Sequence, residues 1–204
     1  MSQSIENKAK SRIYGHGRGW CFTQKDFIDL GSIEAIKVVF FRLEKSSFIR
    51  RLSHGLYDYP VEHERLGLLW PDVEQIVKAV TRKYGLKAQP SGAYAANLLG
   101  LSNQVPGQIV YLVDGNSKEL KIGNMNILFK KTTSKNMKTA GTISGLVIQA
   151  LKYLGKDFVT DKMIETIKRK LSESDKKRLF LDADLASGWI AKIIKNQILG
   201  GFNG

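Results

Sequence analysis

Arg50 and Arg51 stand just before Leu52-Ser53-His54-Gly55, and Lys37 and Arg42 lie on a stretch headed by Ser32. A guanidinium fork fits phosphate oxygens or the guanine edge, and a lysine ammonium supplies a compact positive charge. A serine hydroxyl and an imidazole add hydrogen-bonding groups. The chemistry open to Ser32, Lys37, Arg42, Arg50, Arg51 and His54 is therefore recognition of a polyanion without covalent change. A further run of Lys118, Lys121, Lys130, Lys131, Lys135 and Lys138 is a possible second basic surface, although a solvated lysine-rich sheet face gives the same pattern.

The elements that must position the first group follow from caps and periods. Residues 5–14 can form a first helix with Ile5, Ala9 and Ile13 on one side. Thr23 can cap a short helix over 23–30 that presents Phe27 and Leu30 before Gly31 stops it, and Ser32 starts a longer helix to about Lys45. In that helix Ile33, Ile36, Val39, Phe40 and Leu43 recur at the spacing of one buried face. The opposite face carries Glu34, Lys37, Arg42 and Lys45, with Val38 and Phe41 among them. Segments 48–52 and 56–59 are rich in β-formers and flank Ser53-His54-Gly55, as a hairpin requires. Helix, short helix, turn, helix and hairpin is the order of a winged helix-turn-helix, in which the last helix enters the DNA major groove. Alternate strand residues point to opposite faces, so only one of Arg50 and Arg51 is expected to reach DNA.

Charge agrees. Thirty-two Lys and Arg against nineteen Asp and Glu give a net charge of +13, a field that favours polyanions. The excess is spread along the chain. Apolar content of 43% over 204 residues excludes a disordered tail and suffices for one large or two small domains. One cysteine, Cys21, cannot form an internal disulfide; with no apolar leader and no run near the ~20 residues that span a bilayer, a cytoplasmic protein without membrane contact is expected.

The expected division is 1–60 for the winged helix and 61–204 for a mixed domain. After a connector to about 69, Asp72 can cap a helix ended by Gly85, and a shorter helix covers 91–99. Segments 108–113, 119–122 and 126–131 read as a three-stranded antiparallel meander. Helical periods return over 138–154 and throughout 160–199. The fold class is α+β: an N-terminal winged helix-turn-helix, then a small antiparallel sheet and a helical C-terminal part.

No catalytic constellation emerges. His16, His54 and His63 have no partner at metal-ligand spacing, so no metal and no cofactor are expected. Gly15-His16-Gly17-Arg18-Gly19 lacks the Lys-Ser/Thr of a phosphate loop and reads as a turn between helix and strand. Ser144-Gly145 sits in no Gly-x-Ser-x-Gly elbow. Asp157, Asp161, Asp182 and Asp184 fall near expected helix starts, where they offset the dipole.

Four segments carry a resemblance: 17–27 with Trp20-Cys21-Phe22, 49–60 with Arg50-Arg51-Leu52-Ser53-His54-Gly55, 89–101 with Pro90-Ser91-Gly92-Ala93-Tyr94, and 110–115 with Val113-Asp114-Gly115. In that order they resemble the AbiEi-type antitoxin family of type IV toxin–antitoxin systems, in particular a subgroup of small antitoxin-like proteins, over roughly residues 10 to 155. The resemblance implies a transcriptional regulator whose winged helix binds inverted repeats in its own promoter. It also implies a second domain that counteracts a nucleotidyltransferase-like toxin, with direct contact to the toxin not required.

Three function classes stand at this point. The first is a DNA-binding autorepressor with antitoxin activity and no enzymatic one. In the second, a protein-interaction module, Val38 and Phe41 dock a partner and DNA is irrelevant. The third is a nucleic-acid-modifying enzyme, which would need a cofactor pocket in the 90–155 region.

Overall fold

The computed structural model describes residues 4–200. The chain is α+β and divides into two compact units, one up to Leu86 and one from Lys87. The boundary expected at 60 to 61 thus lies later, because the helix after the connector packs with the first unit.

In the first unit α1 (Ile5–His16) is started by Ser4, whose Oγ accepts from the Asn7 amide. Strand β1 (Cys21–Phe22) follows, then one 3₁₀ turn (Gln24–Phe27) where a helix to Leu30 was expected. The Asp26 carboxylate accepts from the Thr23 amide at 2.8 Å, closing that turn early. Helix α2 (Ile33–Lys45) ends at Ser46, and Ser47 takes a left-handed φ of 57° that turns the chain into β2 (Arg50–Ser53) and β3 (Leu56–Asp58). The sheet order is β1-β3-β2, antiparallel throughout. The expected connector forms a second hairpin, β4 (Val61–His63) with β5 (Gly67–Leu69). Helix α3 (Val73–Tyr84) ends on Gly85 in the left-handed region and packs on β1. Between α1, α2 and the sheet lies a core of Ala9, Ile13, Phe22, Phe27, Ile36, Phe40, Leu43 and Tyr57.

The second unit opens with β6 (Ala88–Ser91) and α4 (Gly92–Leu98), then β7 (Ile109–Val113), β8 (Lys118–Ile122) and β9 (Met125–Lys131). These are no meander. β9 pairs in parallel with β7 and antiparallel with β8, and β6 joins the far edge of β7 in the order β6-β7-β9-β8. A hairpin-rich sequence looks the same in either arrangement; long-range pairing of β7 with β9 decides it. The short α5 (Ser134–Met137) precedes α6 (Ile143–Leu154), which is capped by Thr142 and so begins later than the apolar period suggested. α7 (Asp161–Lys170), α8 (Glu173–Asp182) and α9 (Gly188–Lys192) complete the unit with a π-helical turn (Ile193–Ile198). Asp182 ends α8 where a helix start was expected, and its carboxylate accepts from Arg178 at 2.7 Å. Ala95, Val147, Leu151, Ile164, Ile167, Leu179 and Ile194 form the helical core.

Candidate nucleic-acid interface

Helix α2 is started by Ser32, whose Oγ accepts from the Ala35 amide at 3.2 Å. That use explains Ser32 fully within the fold. Ile36, Val39, Phe40 and Leu43 are buried, and Phe40 meets the rings of Phe27 and Tyr57 edge-on with centroids 5.1 and 5.0 Å away. The same period repeats on the outside. Glu34, Lys37, Val38, Phe41 and Lys45 are exposed in a second stripe, with Val38 50% and Phe41 66% accessible. Among the described residues Glu34, Lys37 and Lys45 make no ion pair or side-chain hydrogen bond. Arg42 edges the stripe, 4.0 Å from Glu6 of α1, an exposed contact of little energetic weight.

The hairpin separates its two arginines. Cross-strand partners in an antiparallel ladder share a face. Arg51 lies opposite Tyr57, and Tyr57 packs on Phe40 of α2, so Arg51 stands on the face of the hairpin turned toward α2. It is exposed, and its Nη2 donates to His54 Nδ1 at 3.3 Å. The His54-Gly55 turn therefore brings Arg51 and His54 together. Arg50 lies opposite Asp58 on the other face and is committed there. Its Nε donates to Asp58 Oδ1 at 3.1 Å, its Nη2 to Asp58 Oδ2 at 2.6 Å and to the Leu69 carbonyl at 2.7 Å, and its guanidinium lies 4.7 Å from the Trp70 ring centre. Burial pushes the Asp58 carboxyl up, with Arg50 acting against it. Arg50 is thus a strut between the sheet and the β4–β5 hairpin, with its Nε and Nη2 donors engaged there.

The six lysines of the expected second surface do not share one face. In β9, Lys130 and Lys131 are neighbours and point to opposite sides. Lys121 belongs with Asn126 on one face, whereas Lys118 belongs with Phe129 on the other. Lys135 lies on α5 and Lys138 just after it.

The Gly15–Gly19 segment is a helix end and loop, with φ of 82° at Gly17 and 87° at Gly19. His16 stacks on Trp20 at 3.8 Å, and together with Arg18, Trp70, Asp72 and Gln75 they line a cleft of about 390 Å³. Arg18 is already used by the Pro60 carbonyl at 2.7 Å. Among the described residues no cluster of three or more His, Cys, Asp and Glu side chains is placed to hold a metal ion, and no helix is long and apolar enough to cross a membrane.

Residues 5–179 match the model of DUF6088, a family of unknown function. The chain belongs to DUF6088. No curated protein matches it. The DUF6088 match takes in every residue of α2, of both hairpins and of the four-stranded sheet. In this DUF6088 chain the alternation of strand residues was enough to separate Arg50 from Arg51. Which of the two faces outward was hidden, because it depends on Asp58, Leu69 and Trp70, partners further along the chain.

Proposed function

We propose that residues 1–60 form a winged helix-turn-helix that binds DNA, and that the chain is the antitoxin of a type IV toxin–antitoxin system that represses its own operon. The observation that carries the DNA-binding half is the outward stripe of α2. It is edged by Lys37 and Arg42 and carries Lys45 along its middle, and the exposed Arg51 stands on the α2-facing side of the hairpin. The order α1, 3₁₀ turn, α2, β2, β3 with β1 completing the sheet supports the same reading. On it, α2 lies in the major groove, Lys37 and Arg42 meet bases or phosphates, and Arg51 with His54 reaches the backbone from the hairpin tip. The antitoxin half rests on the resemblance of the four segments to AbiEi-type antitoxins; the functional partner is a nucleotidyltransferase-like toxin.

The test is fluorescence anisotropy of the full chain on duplex DNA from its own upstream region and on a scrambled duplex, repeated across salt concentrations. Selective binding that is lost in the double variant Lys37→Glu, Arg51→Glu supports the reading. Equal binding of both duplexes, or binding indifferent to the double variant, overturns it. A protein-docking role for α2 is favoured by the exposure of Val38 and Phe41. It is the reading that stands if DNA binding fails while Phe41→Ala abolishes rescue from the co-expressed toxin.

A further inference from the structure

The outward stripe of α2 is not uniformly basic. Glu34, Val38, Phe41 and, one turn further, Lys45 run along its middle, at positions i, i+4, i+7 and i+11, and the cations Lys37 and Arg42 lie to either side. Lys37 shares one flank with Glu44, seven residues on, and Arg42 shares the other with Ala35. A face built only to hold phosphates would not place a carboxylate and two apolar side chains along its centre. The carboxylate repels phosphate, and the apolar groups offer it nothing.

Resting on the DNA-binding reading above, we infer that the centre of α2 reads pyrimidines: Glu34 accepts from the N4 amino group of a cytosine, and Val38 and Phe41 pack on the C5-methyl groups of thymines. Each assignment follows from groove chemistry. Cytosine presents only a donor in the major groove, which a carboxylate satisfies, and thymine presents the one apolar group there. Glu34 has no cation partner among the described residues, so its carboxylate faces solvent and is open to a donor. Val38 and Phe41 are 50% and 66% exposed, leaving the apolar area that a methyl contact would cover. The lengths agree as well. Seven residues of helix rise roughly 10 Å, which is about three base-pair steps at ~3.4 Å each. One stripe therefore spans one short cytosine- and thymine-bearing run of that length, flanked by phosphates within reach of Lys37 on one side and Arg42 on the other. Glu34 also acts against unspecific binding, since on any sequence lacking the amino group it sits unpaired among phosphates.

The experiment begins with selection of bound duplexes from a randomised DNA pool by the full chain. Each thymine of the enriched sequence is then replaced by deoxyuridine, which removes only the methyl group. The expected result is an enriched run holding cytosine and thymine. Wild-type affinity falls about fourfold for each contacted thymine replaced, the worth of one buried methyl-sized group. Val38→Ala and Phe41→Ala each lose the deoxyuridine penalty at one thymine and keep it at the other, and Glu34→Gln binds unselected DNA more tightly and loses its preference at the cytosine. All three positions are exposed, so thermal melting of the variants should match wild type. An enriched sequence that tolerates deoxyuridine everywhere and keeps its cytosine preference in Glu34→Gln overturns this inference while DNA binding stands. Failure to enrich any sequence removes both.

Discussion

Arg50 and Asp58 face each other across the β2–β3 ladder and hold each other by two parallel hydrogen bonds, with the Asp58 side chain only 1% exposed and that of Arg50 19%. Burial outweighs the arginine in setting the Asp58 ionisation, so the pair is no simple source of stability. Removing one partner is another matter, because it leaves a buried charge uncompensated. Arg50→Ala is expected to destabilise the first unit by about 3–5 kcal/mol, against within ~0.5 kcal/mol for the exposed Arg51→Ala. Urea unfolding at neutral pH measures both. Asp58 has a folded-state pKa above its unfolded one. Its contribution is therefore whole below the ordinary carboxylate range and is lost as pH rises through the folded value. Without Arg50 that value climbs further, so the deficit of Arg50→Ala should shrink as pH falls toward the ordinary carboxylate range. A deficit independent of pH would assign the loss to packing against Trp70 and the Leu69 carbonyl.

Lys37 and Arg51 are the cations whose removal tests contact with the DNA backbone. Each alanine variant is expected to lower the slope of log affinity against log salt by about 0.9, one phosphate contact apiece, and to weaken all sequences alike. A loss confined to the upstream duplex, of about 1–3 kcal/mol, would instead make that side chain a base reader. An unchanged slope would remove it from the interface.

What could be read ahead of the structure was whatever depended on near neighbours. Ser32 as a cap, the buried stripe of α2 from Ile36 on, the His54-Gly55 turn and the ends at Gly85 and Leu154 all follow from residues within one or two turns, whereas Ile33, expected in that stripe, is 50% exposed in the first turn. The misread features depend on distant pairing. Asp26 reaches back to Thr23 and forward to Arg82 at 2.9 Å, which holds the expected second helix to a single 3₁₀ turn. β9 passes over its hairpin partner β8 to pair with β7 as well, turning a meander into a mixed sheet. At the candidate interface the residue types were legible, but the division of labour between Arg50 and Arg51 was not.

Arg12 clamps α1 to the turn before α2. Its two terminal nitrogens donate to the two oxygens of Asp29 at 2.7 and 2.6 Å, and one also donates to the Asp26 carbonyl at 2.6 Å. The guanidinium hydrogen bonds hold the Asp29 carboxyl down to about 2. A depressed folded-state pKa gives stability that is present above the ordinary carboxylate range and disappears as pH falls toward about 2. Asp29→Asn is therefore expected to flatten the acid limb of the stability curve between about pH 4 and 2, lying below wild type at pH 7 by the same amount, which exposure keeps small, and converging with it at low pH. Circular dichroism along an acid titration reads this out; superimposable curves would show the clamp to be without consequence.

Cys21 on β1 is fully buried, and burial, followed by the nearby Asp58 carboxylate, pushes its thiol up to about 12. The folded protein should then be inert to a thiol-specific disulfide reagent at pH 8 and react fully in denaturant. Since Cys21 pairs with Asp58 in the sheet, its labelling rate in dilute urea measures opening of the first unit alone. The sign with pH follows. Because the folded-state pKa is raised, stability is whole below the unfolded thiol pKa and is lost as pH rises above it, a loss that Cys21→Ala should abolish. Rapid labelling without denaturant would mean that β1 opens locally.

Gly145 and Gly188 divide the second unit's glycines by what a methyl group would meet. Gly145 lies in the first turn of α6, where the Gln89 side chain and the Thr139 carbonyl oxygen come so near that a Cβ has no room. Gln89 cannot swing aside freely, since its Oε1 accepts from the Gly141 amide at 3.1 Å and the residue is buried. Gly145→Ala should therefore cost about 1–3 kcal/mol through overpacking, despite the higher helix propensity of alanine. Gly188 opens α9 with nothing near its would-be Cβ and no left-handed φ. There the same substitution should stabilise by about 0.4–1 kcal/mol, by narrowing the unfolded ensemble. Thermal melts of the two variants should shift in opposite directions, and a shift of the same sign in both would place the Gln89–Thr139 contact outside the rigid core.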